Sequence, residues 1–206
     1  MSYSSFCGVI LAAGASSRMG KDKALLPWPP NGSGGTLLSA AIQAFSPFVD
    51  LVIVVAGKNV AELTLAIDAN AGFAIVNPEP ERGQFSSLQC GLREVLNRGR
   101  DAAIITLVDK PPVKSSTLKK LRGEFDSAVA GGKWAVVPEF GERHGHPILI
   151  GREMMEAFLR APATANARDI QHLHQAHILY VPVDDPDTTV NLNTPEDYAA
   201  QASQPT

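Results

Sequence analysis

The sequence predicts an α/β fold in which helices cover both faces of a largely parallel sheet. Short apolar runs rich in β-branched residues alternate along the chain with longer stretches of helical periodicity, and this alternation favours that class. A chain of 206 residues, 45% of them apolar, is long enough to bury a sizeable core. The one linker-like segment, PWPPNGSGG at 27–35, has the composition of an exposed loop. We therefore expect a single domain over residues 1–206, with its core at about residues 6–200.

The predicted elements follow one another in this alternating order. The strands are expected at Gly8–Leu11, Leu51–Val55, Phe73–Val76, Ala103–Val108, Trp134–Val137, Ile148–Ile150 and Ile178–Val183. The helices are expected at Leu37–Phe45, Val60–Ala69, Phe85–Asn97, Ser116–Val129, Arg152–Leu159 and Ala167–His174. A last helix begins after Thr194, which is a good N-cap, with Pro195 at the first helical position. In such a sheet a ligand binds beyond the carboxyl ends of the strands, so the loops there are the candidates for function.

Composition excludes several classes of protein. The formal net charge of −3 argues against a nucleic-acid-binding protein, which normally carries a basic surplus. Cys7 and Cys90 have neither a metal-ligand spacing nor the pattern of a disulfide framework, which favours a reducing compartment. The sequence has no signal-peptide pattern and no apolar run as long as a membrane span, so we expect a cytoplasmic protein without a membrane partner.

The loop after the first predicted strand combines small residues with cations. Small residues allow close approach of a ligand to the backbone, whose N–H groups then form an anion-binding concavity. Arg18 and Lys23 add positive charges suited to a polyphosphate. The spacing is neither that of a P-loop nor G-x-G-x-x-G. The alternative is a solvated basic loop that caps a helix.

The same loop resembles a known family. LAAGASSRMGKDKALLP at 11–27 is similar to the L-A-A-G-x-S-x-R-M-G-x-x-K signature of the nucleotidyltransferases of molybdenum cofactor synthesis, and most similar to their cytidylyltransferase branch. The resemblance implies a Rossmann-like fold of the nucleotide-diphospho-sugar transferase type. It also implies that Arg18 and Lys23 hold the phosphates of a nucleoside triphosphate. The residues that match the nucleotide loop are Leu11, Ala12, Ala13, Gly14, Ser16, Arg18 and Lys23.

Two further segments match the family in order. ERGQFSSLQCGL at 81–92 supplies N-capping hydroxyls at a helix start, and it resembles the segment that lies against the base. The residues expected to contact the nucleotide there are Gly83, Ser86, Ser87 and Leu88. In ITLVDKPPV, Asp109 follows an apolar strand, and the resemblance makes it the ligand of the catalytic Mg²⁺. Lys110 departs from the neutral residue that relatives often carry there.

Two more segments concern the metal and the acceptor. VNLNTPEDY at 190–198 is similar to the closing motif of the family, in which Asn191 and Asn193 are expected to complete the metal or phosphate environment. Asparagine at these positions is familiar in the guanylyl branch, whereas cytidylyl relatives often carry Asp. The G-H-P step in ERHGHPILI at 142–150 resembles the acceptor side of the family's cleft. Arg143, His144 and His146 are therefore expected to meet the acceptor's phosphate.

The predicted reaction is nucleotidyl transfer. A phosphate oxygen of the acceptor, expected to be molybdopterin or another phosphate-bearing molecule, attacks the α-phosphorus of an NTP, expected to be CTP, and pyrophosphate leaves. A molybdoenzyme or a chaperone is the expected recipient of the product. The alternatives are a guanylyl- or sugar-1-phosphate nucleotidyltransferase, or a non-catalytic nucleotide- or cofactor-binding protein of the same fold. Lys110 and the asparagine pair are the features that favour the non-catalytic alternative.

Overall fold

The structure is a computed structural model that describes residues 5–14, 22–32, 34–162 and 164–202. Its strands are β1 (Cys7–Leu11), β2 (Leu51–Ala56), β3 (Phe73–Val76), β4 (Ala102–Leu107), β5 (Ala135–Phe140), β6 (Arg143–His144), β7 (Ile148–Gly151) and β8 (Ile178–Pro182). Its helices are α1 (Leu37–Phe45), α2 (Val60–Asp68), α3 (Gln84–Asn97), α4 (Ser115–Ala130), α5 (Arg152–Arg160), α6 (Ala167–Leu173) and α7 (Pro195–Gln201). The α/β prediction is confirmed, with a mostly parallel sheet between two layers of helices.

The sheet has the order β3-β2-β1-β4-β7-β5-β6, and β8 pairs with the other edge of β5. Neighbours β3, β2, β1 and β4 are parallel, as are β5 and β8. Strand β7 is antiparallel to both β4 and β5. A tight turn with positive φ at Gly141 and Glu142 reverses the chain after β5, so the chain returns along β5 without a crossover helix. The sheet is therefore mixed at this end.

The core forms two layers, one on each face of the sheet. Along β1, Ile10 packs against the layer beneath α1, α2 and α4, whereas Val9 and Leu11 pack against the layer beneath α3 and α5. This alternation follows from the two-residue period of a strand. Gly91 of α3 lies directly over the sheet, since a Cβ built on it would come within 2.8 Å of Val9 Cγ1. Close packing of α3 brings its N-terminus to the carboxyl ends of β1 and β4.

None of the helices in the described ranges is long and apolar enough to cross a membrane. The closing helix α7 begins as the sequence predicts: Thr194 and Asp197 form a capping box, and Pro195 stands in the first turn. Tyr198 of this helix donates a hydrogen bond to the carbonyl oxygen of Pro27, so α7 is attached to the loop that follows the 3₁₀ turn Lys23–Leu25. The segment before α7 lies at the end of β4, where the N–H of Leu192 donates to the carbonyl oxygen of Asp109.

Candidate active site

Two adjacent cavities lie at the carboxyl end of the parallel strands, where the topology predicts a ligand. The smaller, of about 220 Å³, is bordered by the loops after β1 and β4 and by the start of α3. The larger, of about 890 Å³, extends from there towards β6, α6 and β8. Leu11, Gly83, Gln84 and Leu107 line both cavities. A molecule in one cavity therefore directly adjoins a molecule in the other.

The loop after β1 is held through its backbone. The N–H of Ala12 donates to Val55 O at 2.8 Å, and the N–H of Val108 donates to Leu11 O at 3.0 Å. Asn59 Nδ2 donates to Ala12 O at 3.0 Å. Ala13 and Gly14 line the smaller cavity, where the backbone is left open to a ligand. Ser16 and Arg18, both predicted to contact the nucleotide, lie outside the described residues.

Lys23 reaches the cavity from a 3₁₀ turn, Lys23–Leu25. Asp22 caps this turn by accepting from the N–H of Ala24 at 2.9 Å, and Asp22 itself accepts from Asn59 Nδ2 at 2.6 Å. The ammonium of Lys23 donates to Asn193 Oδ1 at 3.1 Å and lies 3.7 Å from Asp109 Oδ2. The side chain is only 13% exposed, so the ammonium is largely shielded from solvent.

Asp109 combines a fixed backbone with an unsatisfied oxygen. Its carbonyl accepts from the N–H of Leu192 at 2.8 Å, which joins the loop after β4 to the segment before α7. Its Oδ1 is buried and has no hydrogen-bond partner within the described ranges. A buried carboxylate oxygen without a partner is costly unless a cation or donor meets it. The donor set at this point, one carboxylate and the Asn193 amide oxygen, fits a hard cation such as Mg²⁺.

The two asparagines of the closing motif are placed differently. The backbone N–H of Asn193 donates to Asp197 Oδ2 at 3.0 Å, and the amide oxygen of Asn193 accepts from Lys23. Asn191 is exposed, and its side chain makes no hydrogen bond to the described parts of the site. Within the described ranges no group of three or more His, Cys, Asp or Glu side chains has the spacing of a metal site. Asp109 and Asn193 are the predicted metal residues that the structure brings together.

The start of α3 supplies the wall of the smaller cavity opposite β4. Gly83, the N-cap, has a φ of +93°, a conformation that side chains rarely adopt. Ser87 lines the cavity, and its Oγ accepts from Asn77 Nδ2 at 3.0 Å. Ser86 Oγ instead donates to Gly83 O at 2.8 Å and borders neither cavity. Leu88 lines the larger cavity, so the predicted nucleotide contacts of this segment face different spaces.

The predicted acceptor residues all line the larger cavity. Arg143 donates to Thr189 O at 3.1 Å, and the N–H of His146 donates to Thr188 O at 2.8 Å. His144 stacks on Tyr180, with ring centroids 3.8 Å apart, and its Nε2 lies 3.2 Å from Glu139 Oε2. Arg82, Arg168 and His172 add further basic groups to the same walls. The cavity therefore offers both cations and a flat aromatic surface.

A 3₁₀ turn, Pro186–Thr189, supports these acceptor residues from behind. It is anchored by the fully buried Asp185, whose carboxylate accepts from Thr117 Oγ1 at 2.6 Å and from the N–H of Lys114 at 2.9 Å. Gly145 passes so close to the turn that a Cβ built on it would lie 2.3 Å from Thr188 O. Glycine is required here because no side chain fits between the two backbones.

His146 is neutral at physiological pH. Burial and, to a smaller extent, the charge of Lys110 lower its pKa to about 4, although the contact of Nδ1 with Ile105 O at 3.5 Å acts in the opposite direction. Burial also lowers the pKa of the Lys110 ammonium, with Asp109 opposing and Arg143 adding to that effect. Lys110 is buried beside Thr106, Phe45 and Pro147, and it lines neither cavity of the cleft.

Comparison with known proteins decides the family. Residues 8–182 match the family described as the MobA-like NTP transferase domain. The chain belongs to this family. Among its relatives, the molybdenum cofactor cytidylyltransferase of Escherichia coli K12 is 26% identical over 191 residues, which cover 92% of each chain. The molybdenum cofactor guanylyltransferase of Rhodobacter capsulatus is 29% identical over 196 residues, which cover 93% of this chain and 92% of the relative.

Solved structures agree on the fold of this MobA-like chain. A nucleotidyl transferase from Methanothermobacter superposes with a TM-score of 0.77 at 23% identity, covering 96% of this chain and 95% of that one. The fold predicted from the resemblance is therefore confirmed, as is the family. The chain is a nucleotidyltransferase similar to both the cytidylyl and the guanylyl enzymes of molybdenum cofactor synthesis.

Sequence reasoning missed several residues of the MobA-like cleft. Asn77, buried at the end of β3, donates to the hydroxyls of both Ser86 and Ser87. Its position directly after a predicted strand is the signal that points to it. Tyr180, Arg168 and His172 come from elements far along the chain, and no local motif marks them. His172 is exposed and lines the larger cavity.

Proposed function

We propose that this chain transfers CMP from CTP to the phosphate of a molybdopterin-type acceptor and releases pyrophosphate. The observation that carries the proposal is the position of Lys23 and Asp109 in the smaller cavity, which shares lining residues with the larger one. A triphosphate beside these two residues presents its α-phosphorus to a molecule in the larger cavity. The recipient of the product, a molybdoenzyme or its chaperone, is also a prediction.

The proposed reaction asks for positioning and charge neutralisation. An oxygen of the acceptor's phosphate forms a bond to the α-phosphorus while the bond to the bridging oxygen of the β-phosphate breaks, and the leaving pyrophosphate takes that electron pair. The phosphate oxygen is already ionised, so no general base is needed. Lys23, together with the predicted contact Arg18, would hold the triphosphate, and the backbone at Ala13 and Gly14 allows its close approach.

Mg²⁺ is the proposed cofactor, with Asp109 and Asn193 as the residues that would hold it. When bound, it would neutralise charge on the triphosphate and on the pyrophosphate that leaves. The partnerless Oδ1 of Asp109 supports this assignment. The exposed Asn191 remains a weaker candidate for the same environment.

The choice of CTP over GTP rests on the wall of the smaller cavity. Ala13 lines that cavity, and the resemblance to the family implies alanine at this position in the cytidylyl branch and glycine in the guanylyl branch. Ser87 Oγ accepts from Asn77, so its O–H is left to donate, and cytosine presents two acceptors on its pairing edge, O2 and N3. Both observations favour a pyrimidine in this cavity.

GTP is the second candidate nucleotide. Asn191 and Asn193 resemble the guanylyl pattern, and the Rhodobacter capsulatus guanylyltransferase is as similar to the chain as the Escherichia coli cytidylyltransferase. The test is kcat/KM for CTP and GTP with one molybdopterin acceptor, measured for the wild type and for Ala13→Gly. We expect a preference for CTP that narrows in Ala13→Gly. A wild-type preference for GTP would contradict the assignment.

The acceptor assignment rests on the larger cavity. A volume of about 890 Å³, basic side chains and the His144–Tyr180 stack suit a phosphorylated, flat heterocycle better than a small sugar phosphate. Pyrophosphate release with molybdopterin, compared with sugar 1-phosphates, tests it. Release with sugar phosphates alone would favour the sugar-1-phosphate alternative, and nucleotide binding without release with any acceptor would favour the non-catalytic one.

A further inference from the structure

One ammonium connects the two oxygen ligands proposed for the metal. Lys23 Nζ donates to Asn193 Oδ1 at 3.1 Å and lies 3.7 Å from Asp109 Oδ2. Lys23 and Asn193 are 170 residues apart in the sequence, so this contact is made only in the folded chain. The ammonium therefore takes up the same carboxylate and amide that a hard cation would use.

The surroundings make this contact strong and specific. The Lys23 side chain is 13% exposed and that of Asp109 is 26% exposed, so solvent screens the pair less than it screens a surface pair. Asp22 and Asn59 fix the 3₁₀ turn that carries Lys23, which limits the positions open to the ammonium. Asp109 Oδ1 remains without a hydrogen-bond partner in the described ranges, so the ammonium satisfies only one of the two carboxylate oxygens.

We propose that Lys23 is a placeholder: in the nucleotide-free protein its ammonium occupies the metal environment of Asp109 and Asn193 and keeps divalent cations out. A triphosphate, which is the ligand assumed from the proposed function, draws Lys23 onto its oxygens and so releases both side chains to the metal. The metal then enters with the nucleotide rather than before it. Two positive charges cannot share one partly buried carboxylate without mutual repulsion, which is the physical basis of the exclusion.

The proposal predicts opposite effects of one substitution on two ligands. Lys23→Met removes the ammonium and keeps a side chain of similar length. Binding of Mn²⁺ alone, measured by the loss of its free electron paramagnetic resonance signal, should become at least about tenfold tighter than in the wild type. Binding of CTP in the presence of EDTA, measured by calorimetry, should become about 10- to 100-fold weaker.

Lys133→Met is the matched control because it also removes one lysine charge. Lys133 donates to Ala176 O at 2.9 Å and lies just before β5. The start of β5 is at the amino end of the parallel strands, whereas the cavities lie at their carboxyl end. It should leave both affinities unchanged. A second variant, Lys23→Gln, keeps a donor for Asn193 without the charge and should tighten Mn²⁺ binding in the same direction. In an Asp109→Asn background, Lys23→Met should no longer tighten Mn²⁺ binding.

The outcomes separate the placeholder from the proposed function. Mn²⁺ affinity in Lys23→Met that equals or falls below that of Lys133→Met overturns the placeholder, as does the absence of any Mn²⁺ binding in all variants. Unchanged affinity for metal-free CTP overturns the handover of Lys23 to the triphosphate. Tighter Mn²⁺ binding in Lys23→Met, in a protein whose wild type binds neither CTP nor GTP, would support the placeholder and reject the nucleotide function.

Discussion

The two cavities of the cleft are built in different ways. The smaller one lies at the carboxyl ends of β1 and β4 and at the start of α3, and two of its polar groups, Asp109 and Ser87, stand close to the ends of regular elements. The larger one also takes in residues of short or peripheral elements, β6, α6 and β8. Arg143 and His146 are held there by the 3₁₀ turn Pro186–Thr189. The first region is fixed by the sheet, the second by contacts between distant segments.

This difference separates the two tasks of the proposed enzyme. A triphosphate is the same for every member of a nucleotidyltransferase family, and the smaller cavity would bind it through backbone at the strand ends together with Lys23. An acceptor differs between members, and exposed side chains on short elements change without disturbing the sheet. We expect substitutions in the smaller cavity to affect turnover and those in the larger one to affect acceptor affinity or local stability.

The largest effect is expected at Asp109. Asp109→Asn should lower kcat for pyrophosphate release by about 100- to 1,000-fold, since it removes the charge that would hold the cation beside the triphosphate. Asp101→Asn is the control, because Asp101 precedes β4 and pairs on the surface with Arg152. It should retain full turnover. Near wild-type release by Asp109→Asn at saturating Mg²⁺ would contradict the metal assignment.

The next effect is on stability and concerns the support of the acceptor residues. Gly145→Ala should lower the free energy of unfolding by about 2–3 kcal/mol, because the new Cβ would meet Thr188 O. Gly123→Ala in α4, where the added Cβ meets nothing within 4 Å, should raise it by about 0.5–1 kcal/mol. Urea titrations of both variants measure the difference. Equal stabilities would mean that the turn does not pack tightly on Gly145.

The pH dependence of stability should carry a contribution from His146. Its folded pKa of about 4 is below the unfolded value near 6.5, so the unfolded chain binds more protons between these pH values. The contribution is complete above about pH 6.5 and is lost as the pH falls towards 4. Between pH 7 and pH 5 it amounts to about 1–2 kcal/mol.

Between pH 7 and pH 5, His146→Gln should lose about 1–2 kcal/mol less of its free energy of unfolding than the wild type loses. His172→Gln is the control, because it makes the same substitution at a histidine that also lines the cavity but is exposed to solvent. Chemical denaturation at several pH values gives both curves. Parallel curves for wild type and His146→Gln would show that burial does not depress the pKa of this histidine.

The smallest effect is expected at Arg143. Arg143→Ala should raise KM for the acceptor about tenfold while KM for the nucleotide and kcat stay close to the wild type, as for one charge-assisted contact. Arg160→Ala, on the surface of α5 beside Glu156, is the control and should change neither constant. A larger effect on nucleotide KM than on acceptor KM would remove the distinction between the two cavities.

Local patterns were sufficient for most of the fold. Within the described residues, apolar periodicity predicted seven of the eight strands and six of the seven helices to within a few residues, and the capping pattern predicted α7. Buried strands and amphipathic helices carry their periods in the sequence. These patterns did not predict β6, which has two exposed residues and exists only because β5 reverses on Gly141 and Glu142. They also did not predict that β7 is antiparallel, since direction depends on the connection rather than on composition.

The sequence by itself determined the α/β class, the family and the segments that form the nucleotide side, because the motif residues directly follow strand ends or begin α3. Only the tertiary structure decided that Lys23 meets Asp109 and Asn193, that Ser86 borders neither cavity, and that the buried Lys110 lines neither of them. It also brought Tyr180 and Arg168 beside the predicted acceptor residues. Each of these placements depends on how segments distant in the sequence pack against one another, and the periodicity of a local stretch of sequence carries no information on that packing.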